Sequence, residues 1–299
     1  MKTTVLLDDR TYHLEVFQKS AAPVEAPRLV VVSHLPNGTA SRLLEVGIRS
    51  VERFTPEPHE LWIVDNNSPR QNVTWLTELP NLNVVLNRTE PLPPEARGEQ
   101  SEGGPQENQQ KWGSYANAIG LELGVKLIDP GSRYLMTMHM DVAPCRSGWL
   151  SFLRSRINST IGAAGVRMDK TRNPEGVLHV LGYMVDFQLF KRLGLDFFPQ
   201  LPELDVGDKV TTTLRSAAYG VFACRNTMWE PDLVEGIPDV SPWKDLHVDR
   251  SLDDEGNVIF LHLGRGLRRS SGEHRKGTSV EDWLRVLSSH LESVADATA

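Results

Sequence analysis

Short, continuous apolar runs alternate with amphipathic stretches through the first half of the chain. Arg28 to Ser33 reads RLVVVS, Leu61 to Val64 reads LWIV, and Leu82 to Leu86 reads LNVVL. Runs this short, rich in valine and closed by polar residues, are the pattern of strands buried on both faces of a parallel sheet. Between the first two, Leu43, Leu44, Val46, Ile48, Val51 and Phe54 recur at helical spacing over residues 40–54. A short helix falls around 70–78. This strand–helix–strand–helix–strand order, at about 30 residues per unit, predicts right-handed crossovers and a parallel sheet. Ahead of it, residues 3–8 and 11–17 predict a small hairpin, followed by a linker with Pro23 and Pro27.

Residues 88–111 break the pattern. They read RTEPLPPEARGEQSEGGPQENQQK, with no apolar periodicity, and predict a mobile surface loop. A helix is expected over 112–128 and a central buried strand over 133–139. Further strands are expected over 161–166, 177–181, 218–223 and 258–263, and helices near 147–157, 186–193, 207–217 and 279–293. Residues 225–257 carry no readable pattern; Trp229 and Trp243 there can stack on a sugar or pack the loop onto the domain. No internal repeat is visible, so a single α/β domain is expected.

Composition narrows the function classes. With 39% hydrophobic and 24% charged residues in 299, the chain has material for one ample core. Its formal net charge of −7 argues against a general nucleic-acid binder. Cys145 and Cys224 are too few and too far apart for a disulfide framework or a zinc motif, and are read as buried thiols in a reducing compartment. The N-terminus MKTTVLLDDR is too short and too charged for a signal peptide, and no run approaches the ~20 apolar residues of a membrane span. A cytoplasmic protein is the expectation.

The candidate chemistry lies at strand ends. The strand RYLMTMHMDV closes on His139 and Asp141, two metal-capable residues that share one side of an extended chain. The three earlier strands close on Ser33-His34, Asp65-Asn66-Asn67-Ser68 and Asn87-Arg88. In an open α/β sheet such ends line one edge, where ligands bind. Their donors and acceptors can read a base and a ribose, or Asp65 and Ser68 can simply cap a turn and the following helix. Gly-rich phosphate motifs of the G-x-G-x-x-G or G-x-x-x-x-G-K-[ST] type are absent. A phosphate-bearing ligand would therefore need a metal ion. His139, Asp141 and the late His262 of VIFLHLG are the candidate ligands, each with an ordinary structural alternative: a core histidine, a turn residue and a strand-end histidine.

The order VVVSHLPNG, LWIVDNNS, SYANAIGLELGVKL and RYLMTMHMDV resembles the GT-A fold of nucleotide-sugar glycosyltransferases, especially the large inverting family 2. The resemblance covers residues 28–265 and implies a Rossmann-like α/β fold with a mostly parallel central sheet flanked by helices. Residues 1–27 would then be an N-terminal hairpin extension, and residues 266–299 a basic loop and C-terminal helix. Asn117 falls where the family's helix asparagine falls. His139-Met140-Asp141 stands at the D-x-D motif, with Asp141 keeping the second, metal-binding acid and His139 replacing the first.

The resemblance implies transfer of a sugar from a nucleoside-diphosphate donor such as UDP-sugar to an acceptor hydroxyl, with inversion and with Mg²⁺ or Mn²⁺. The acceptor would be a small molecule, a glycan or a lipid-linked sugar. Asp141 and His262 would hold the metal. His34, Asp65, Asn67, Asn87, Asn117, His139 and Arg265 would contact the nucleotide sugar. An inverting transferase needs one carboxylate to deprotonate the acceptor. Glu203, Asp205 and Asp208 of PELDVGDKV are the candidates, with Asp205 preferred. The basic segment GRGLRRSSGEHRKG can close over a diphosphate through Arg265, Arg268, Arg269, Arg275 and Lys276. The replaced first acid supports an alternative, a non-catalytic GT-A-like module that binds a sugar, a nucleotide or a partner.

Overall fold

A computed structural model describes residues 1–94, 105–167, 170 and 174–296. The apolar runs become the centre of a nine-stranded sheet. The first hairpin is β1 (Lys2–Leu7) and β2 (Arg10–Phe17); then come β3 (Pro27–Ser33), β4 (Glu60–Asn66) and β5 (Leu82–Asn87). The sheet is completed by β6 (Tyr134–His139), β8 (Ile161–Arg167), β9 (Leu178–Asp186) and β10 (Gly220–Ala223), with β7 (Val142–Pro144) branching off. The spatial order is β1-β2-β5-β4-β3-β6-β9-β8-β10. Only β2 and β9 run against the other seven strands. The molecule is thus a mixed α/β fold with a large, mostly parallel sheet flanked by helices, the layout the resemblance implies. The N-terminal hairpin continues this sheet, since β2 pairs with β5.

Helices cover both faces. On one face lies α1 (Gly38–Phe54), capped by the Asn37 side chain, which accepts from the Ala40 N–H at 2.9 Å. All six residues of its expected apolar stripe are buried. The C-terminal helix α8 (Val280–Asp296) packs on α1. On the other face α3 (Pro105–Leu127) lies against β3 and β4. Two glycines permit its close approach: a Cβ on Gly120 would stand 2.5 Å from a Val32 methyl, and one on Gly124 2.8 Å from a Val30 methyl. The α3 helix begins at Pro105, so residues 105–111 are helical where the polar composition predicted a loop. Helix propensity is a weak prior, and packing of the helix further along overrides it. Residues 95–104 of that expected loop lie outside the described residues.

A second sheet has no counterpart in the sequence expectations. It runs β11 (Arg225–Asn226), β12 (Asp249–Leu252), β13 (Val258–His262) and β7, all antiparallel. Three of its strands have at most four residues, too few to show a period. Trp243, from the loop between β11 and β12, is buried and meets the His290 ring edge-on at 4.6 Å, so it packs the loop onto the core. Trp229 lies under the Arg167 guanidinium at 3.8 Å. Both cysteines are buried free thiols. No helix among the described residues is long and apolar enough to cross a membrane.

Candidate metal centre and active site

The chain leaves the large sheet at the end of β6 and enters the small one at β7. His139 is the last residue of β6, and Asp141 sits in the link to β7. Strand β7 pairs with β13, and Val142 is the direct partner of His262. The Leu263 N–H donates to the Asp141 carbonyl at 3.0 Å. This pairing brings a residue from near the chain's end beside the two from β6. His139, Asp141 and His262 each offer a ligand atom, and the three atoms lie within 4.8 Å of one another.

Each ligand candidate is held from behind. His262 Nε2 lies 3.6 Å from Asp141 Oδ1, while its Nδ1 lies 3.1 Å from Asp249 Oδ2. Asp141 Oδ2 accepts from the Gly266 N–H at 2.8 Å. The Asn117 amide nitrogen, on α3, is 3.2 Å from His139 Nε2. The His179 ring, on β9, meets the His139 ring edge-on at 5.2 Å. Burial pushes His139 down to about 4, against the pull of Asp141 and Asp205, and the charge of His262 pushes the same way. Burial also opposes the His262 imidazolium, but Asp141 and Asp249 outweigh it and hold that group above its ordinary value.

The ends of β3, β4 and β5 do line one edge, in the register Ser33–Asp65 and Asn66–Asn87. Much of their polar capacity is spent on one another. The Ser68 hydroxyl and N–H both donate to the Asp65 carboxylate, and the Leu35 N–H donates to the Ser68 oxygen at 2.7 Å. Asp65 is fully buried, and burial raises its carboxyl above the usual range despite the bonds from Ser68. His34 Nδ1 lies 3.0 Å from the Asn66 carbonyl. The Asn87 side chain donates to Asn66 Oδ1 at 3.2 Å, and Asn66 Nδ2 donates to the Ala116 carbonyl at 2.6 Å. That last bond ties α3 to the strand ends and sets Asn117 at its place beside His139. Asn67 is exposed in the left-handed region, with φ 56°.

The three candidate acids separate clearly. Glu203 is exposed. Asp208 is buried at the start of α6 (Asp208–Ser216), and its Oδ2 accepts from the Asp205 N–H at 2.9 Å. Asp205 is half-buried and near enough to act on the charge of His139.

Beside the centre is a cavity of about 640 Å³, whose lining includes Asp249, Gly264, Arg265, Arg269 and His274. Arg265 is exposed, has φ 56° and caps α7 (Gly266–Ser270). Arg269 instead binds the carbonyls of Gly264, Lys276 and Thr278, so it shapes the basic loop. Arg268 faces Glu273 at 3.6 Å.

Sequence reasoning did not single out Asp249, His179 or Gly266. Asp249 had a usable signal. Asp253 to Asn257 is a turn, in which Asp253 Oδ1 accepts from the Glu255 and Asn257 N–H groups and Gly256 has φ 85°. Such a turn before the VIFLH run marks a hairpin, and hence a strand before it. His179 and Gly266 had none.

No family model matches the sequence, and no curated protein matches it. Solved structures do. The catalytic domain of Drosophila β1,4-galactosyltransferase 7, in a complex with xylobiose, is 9% identical over 86% of this chain and 83% of its own, with a TM-score of 0.40. The Streptococcus pneumoniae glycosyltransferase GlyE is 9% identical over 92% of this chain and 64% of its own, with a TM-score of 0.46. A 4-diphosphocytidyl-2C-methyl-D-erythritol synthase from Anaerococcus prevotii is 11% identical over 67% of this chain and 89% of its own, with a TM-score of 0.41. Glycosyltransferases thus recur among the structures this chain resembles.

Proposed function

We propose that the protein is a metal-dependent, inverting glycosyltransferase that uses a nucleoside-diphosphate sugar. The observation that carries the reading is the meeting of His139, Asp141 and His262 at the C-terminal edge of the parallel strands, with Asp205 close by. That edge is where open α/β sheets hold nucleotides. The donor set suits a divalent ion: one carboxylate, two imidazoles, and an Asp249 carboxylate that keeps His262 Nε2 turned toward Asp141.

A bound divalent ion would supply Lewis-acid neutralisation of charge on the departing diphosphate. Asp141 and His262 would hold it, with His139 as the third ligand. Asn117 and the polar ends of β3, β4 and β5 would orient the nucleotide. Asp205 would take the proton from the acceptor hydroxyl as that oxygen bonds to the sugar's anomeric carbon and the bond to the diphosphate breaks. The exposed Arg265 would lie over the leaving group from the rim of the adjoining cavity. The acceptor is a hydroxyl of a small molecule, a glycan or a lipid-linked sugar.

The test is a calorimetric titration with UDP and GDP, with and without Mn²⁺, paired with donor hydrolysis or transfer by the wild-type chain and Asp205→Asn. Metal-dependent nucleotide binding and a loss of turnover of at least 100-fold in Asp205→Asn are expected. Absence of any metal-dependent nucleoside-diphosphate binding would sink the proposal. Binding without turnover would favour the non-catalytic module, which the histidine at position 139 already motivates.

A further inference from the structure

We infer that Glu122 is a positioning residue for Asp205, anchoring the loop that carries Asp205 to α3, the helix that carries Asn117. The inference rests on Asp205 being the base of the proposed function, but the link between the two residues does not need the transfer reaction.

The link is a chain of backbone contacts. Asp205 lies in the segment 196–207 that leads into α6. Apart from a bridge between Gln200 and Leu204, this segment has no regular structure. It is held at its start instead. Phe197 is fully buried, with its ring stacked on Phe190 at 5.2 Å. A buried backbone N–H needs an acceptor. Here the acceptor is Glu122 Oε1, at 2.8 Å. The Phe197 carbonyl in turn accepts from the Gly207 N–H at 3.1 Å, which closes the loop on itself. The next residue is Asp208. Its Oδ2 accepts from the Asp205 N–H at 2.9 Å, and its own N–H donates to the Asp205 carbonyl at 3.1 Å. Glu122 thus reaches the backbone of Asp205 through Phe197, Gly207 and Asp208.

The far end of the loop cannot slide. A Cβ on Gly207 would stand 2.3 Å from a Val180 methyl and 3.2 Å from the Tyr183 hydroxyl, so the loop is pressed against β9. Lys209 Nζ donates to Asp196 Oδ2 at 2.6 Å and spans the same two ends. On α3, Asn117 lies beside His139. One helix therefore references both the candidate base and a candidate metal ligand.

A carboxyl at this anchor brings a proton with it. The charged groups that act on Glu122 are Asp196, which opposes its ionisation as burial does, and Lys126 and Lys209, which favour it. The buried Tyr183 hydroxyl, on β9, feels both Glu122 and Asp208. Burial prevails and pushes Glu122 up to about 7. The closed loop therefore holds the proton. Opening it would hydrate the carboxyl and return it toward 4.5, so raising the pH through 7 favours the open loop. A neutral amide at this position would hold the same N–H without that dependence.

The full chain, labelled with ¹⁵N at aspartate, is titrated by NMR across neutral pH, with the Asp205 amide assigned through Asp205→Asn. Its resonance is expected to shift with a midpoint near 7, and to lose that step in Glu122→Gln. Should Glu122→Gln fail to fold, the Glu122 carboxyl carbon and the Asp205 amide of the wild type, followed together, must share one midpoint. In a transfer assay, wild-type kcat relative to that of Glu122→Gln is expected to fall by up to about tenfold from pH 6 to pH 8, as release of one proton dictates, with KM for the donor unchanged. An Asp205 amide that is indifferent to Glu122, or parallel pH profiles for the two proteins, would overturn the inference. Coupled titration without transfer from any donor would leave the link standing while the proposed function fell. Loss of turnover in Asp205→Asn with an Asp205 amide that ignores Glu122 would do the reverse.

Discussion

Asp249 and His262 are direct partners across the β12–β13 ladder, and Asp249 Oδ2 lies 3.1 Å from His262 Nδ1. One cross-strand pair thus fixes both the position of a ligand candidate and the nitrogen it presents. Removing such a supporting carboxylate commonly weakens metal binding about 10–100-fold. Asp249→Ala is expected to lose Mn²⁺ affinity by that factor while its circular dichroism spectrum stays that of the wild type. An unchanged Mn²⁺ titration would show that Asp249 does not orient the ligand.

Gly266 has no room for a side chain. Its Cβ would stand 2.5 Å from the Asp141 Cβ, and its N–H holds Asp141 Oδ2. Gly266→Ala must push Asp141 or the loop aside, at a stability cost of about 1–3 kcal/mol typical of overpacking. A lower melting temperature together with weaker Mn²⁺ binding is expected. A variant that melts and binds as the wild type does would refute the close approach.

Two glycines of one helix should respond oppositely to the same substitution. Gly113 has nothing within 4 Å of its missing Cβ, whereas the Gly120 position meets Val32 at 2.5 Å and Asn66 at 3.1 Å. Gly113→Ala is expected to stabilise by up to about 1 kcal/mol, the helix preference of alanine over glycine. Gly120→Ala gains the same preference but lifts α3 off the sheet, for a net loss of about 1–2 kcal/mol. Urea denaturation of the two variants decides it, and equal effects would contradict the packing.

Glu122 places a carboxyl inside α3, where its Oε1 accepts from the Phe197 N–H at 2.8 Å. Burial, the main cause, pushes it up to about 7 from 4.5. The folded state therefore holds a proton that the unfolded chain releases above pH 4.5. Stability falls as pH rises from about 4.5 to about 7 and is level above that, by about 3 kcal/mol at most. Glu122→Gln keeps the acceptor and removes the titration. Relative to wild type, it is expected to gain stability between pH 5 and pH 8 in chemical denaturation. Parallel pH profiles for the two proteins would rule out the buried titration.

The site was readable in parts. His139 and Asp141 were visible because a long apolar run stops on them, and His262 because it closes another such run. The buried Asp65 was visible too, but not that Ser68 takes both carboxylate oxygens. Strand β9 was expected to stop at 181 but continues to Asp186, because the run through Gly182 and Tyr183 reads equally as strand or buried helix. The residues from 225 to 257 showed no pattern because β11 and β12 are two and four residues long. Strands that short are set by their partners rather than by their own sequence.

By itself, the sequence determined the elements whose period shows within one turn or one strand: β3 to β6, the buried stripe of α1, and the polar strand ends. Those signals are local, because burial on a helix face or a sheet interior repeats along the chain. Only the tertiary structure decided that β7 pairs with β13, that Val142 therefore faces His262, and that Asp249 stands behind it. Pairing between distant segments follows from which register buries the most apolar surface and satisfies the most backbone groups, and no single window of sequence contains that comparison. The candidate metal centre lies at this junction, half written in RYLMTMHMDV and completed only when the second sheet forms.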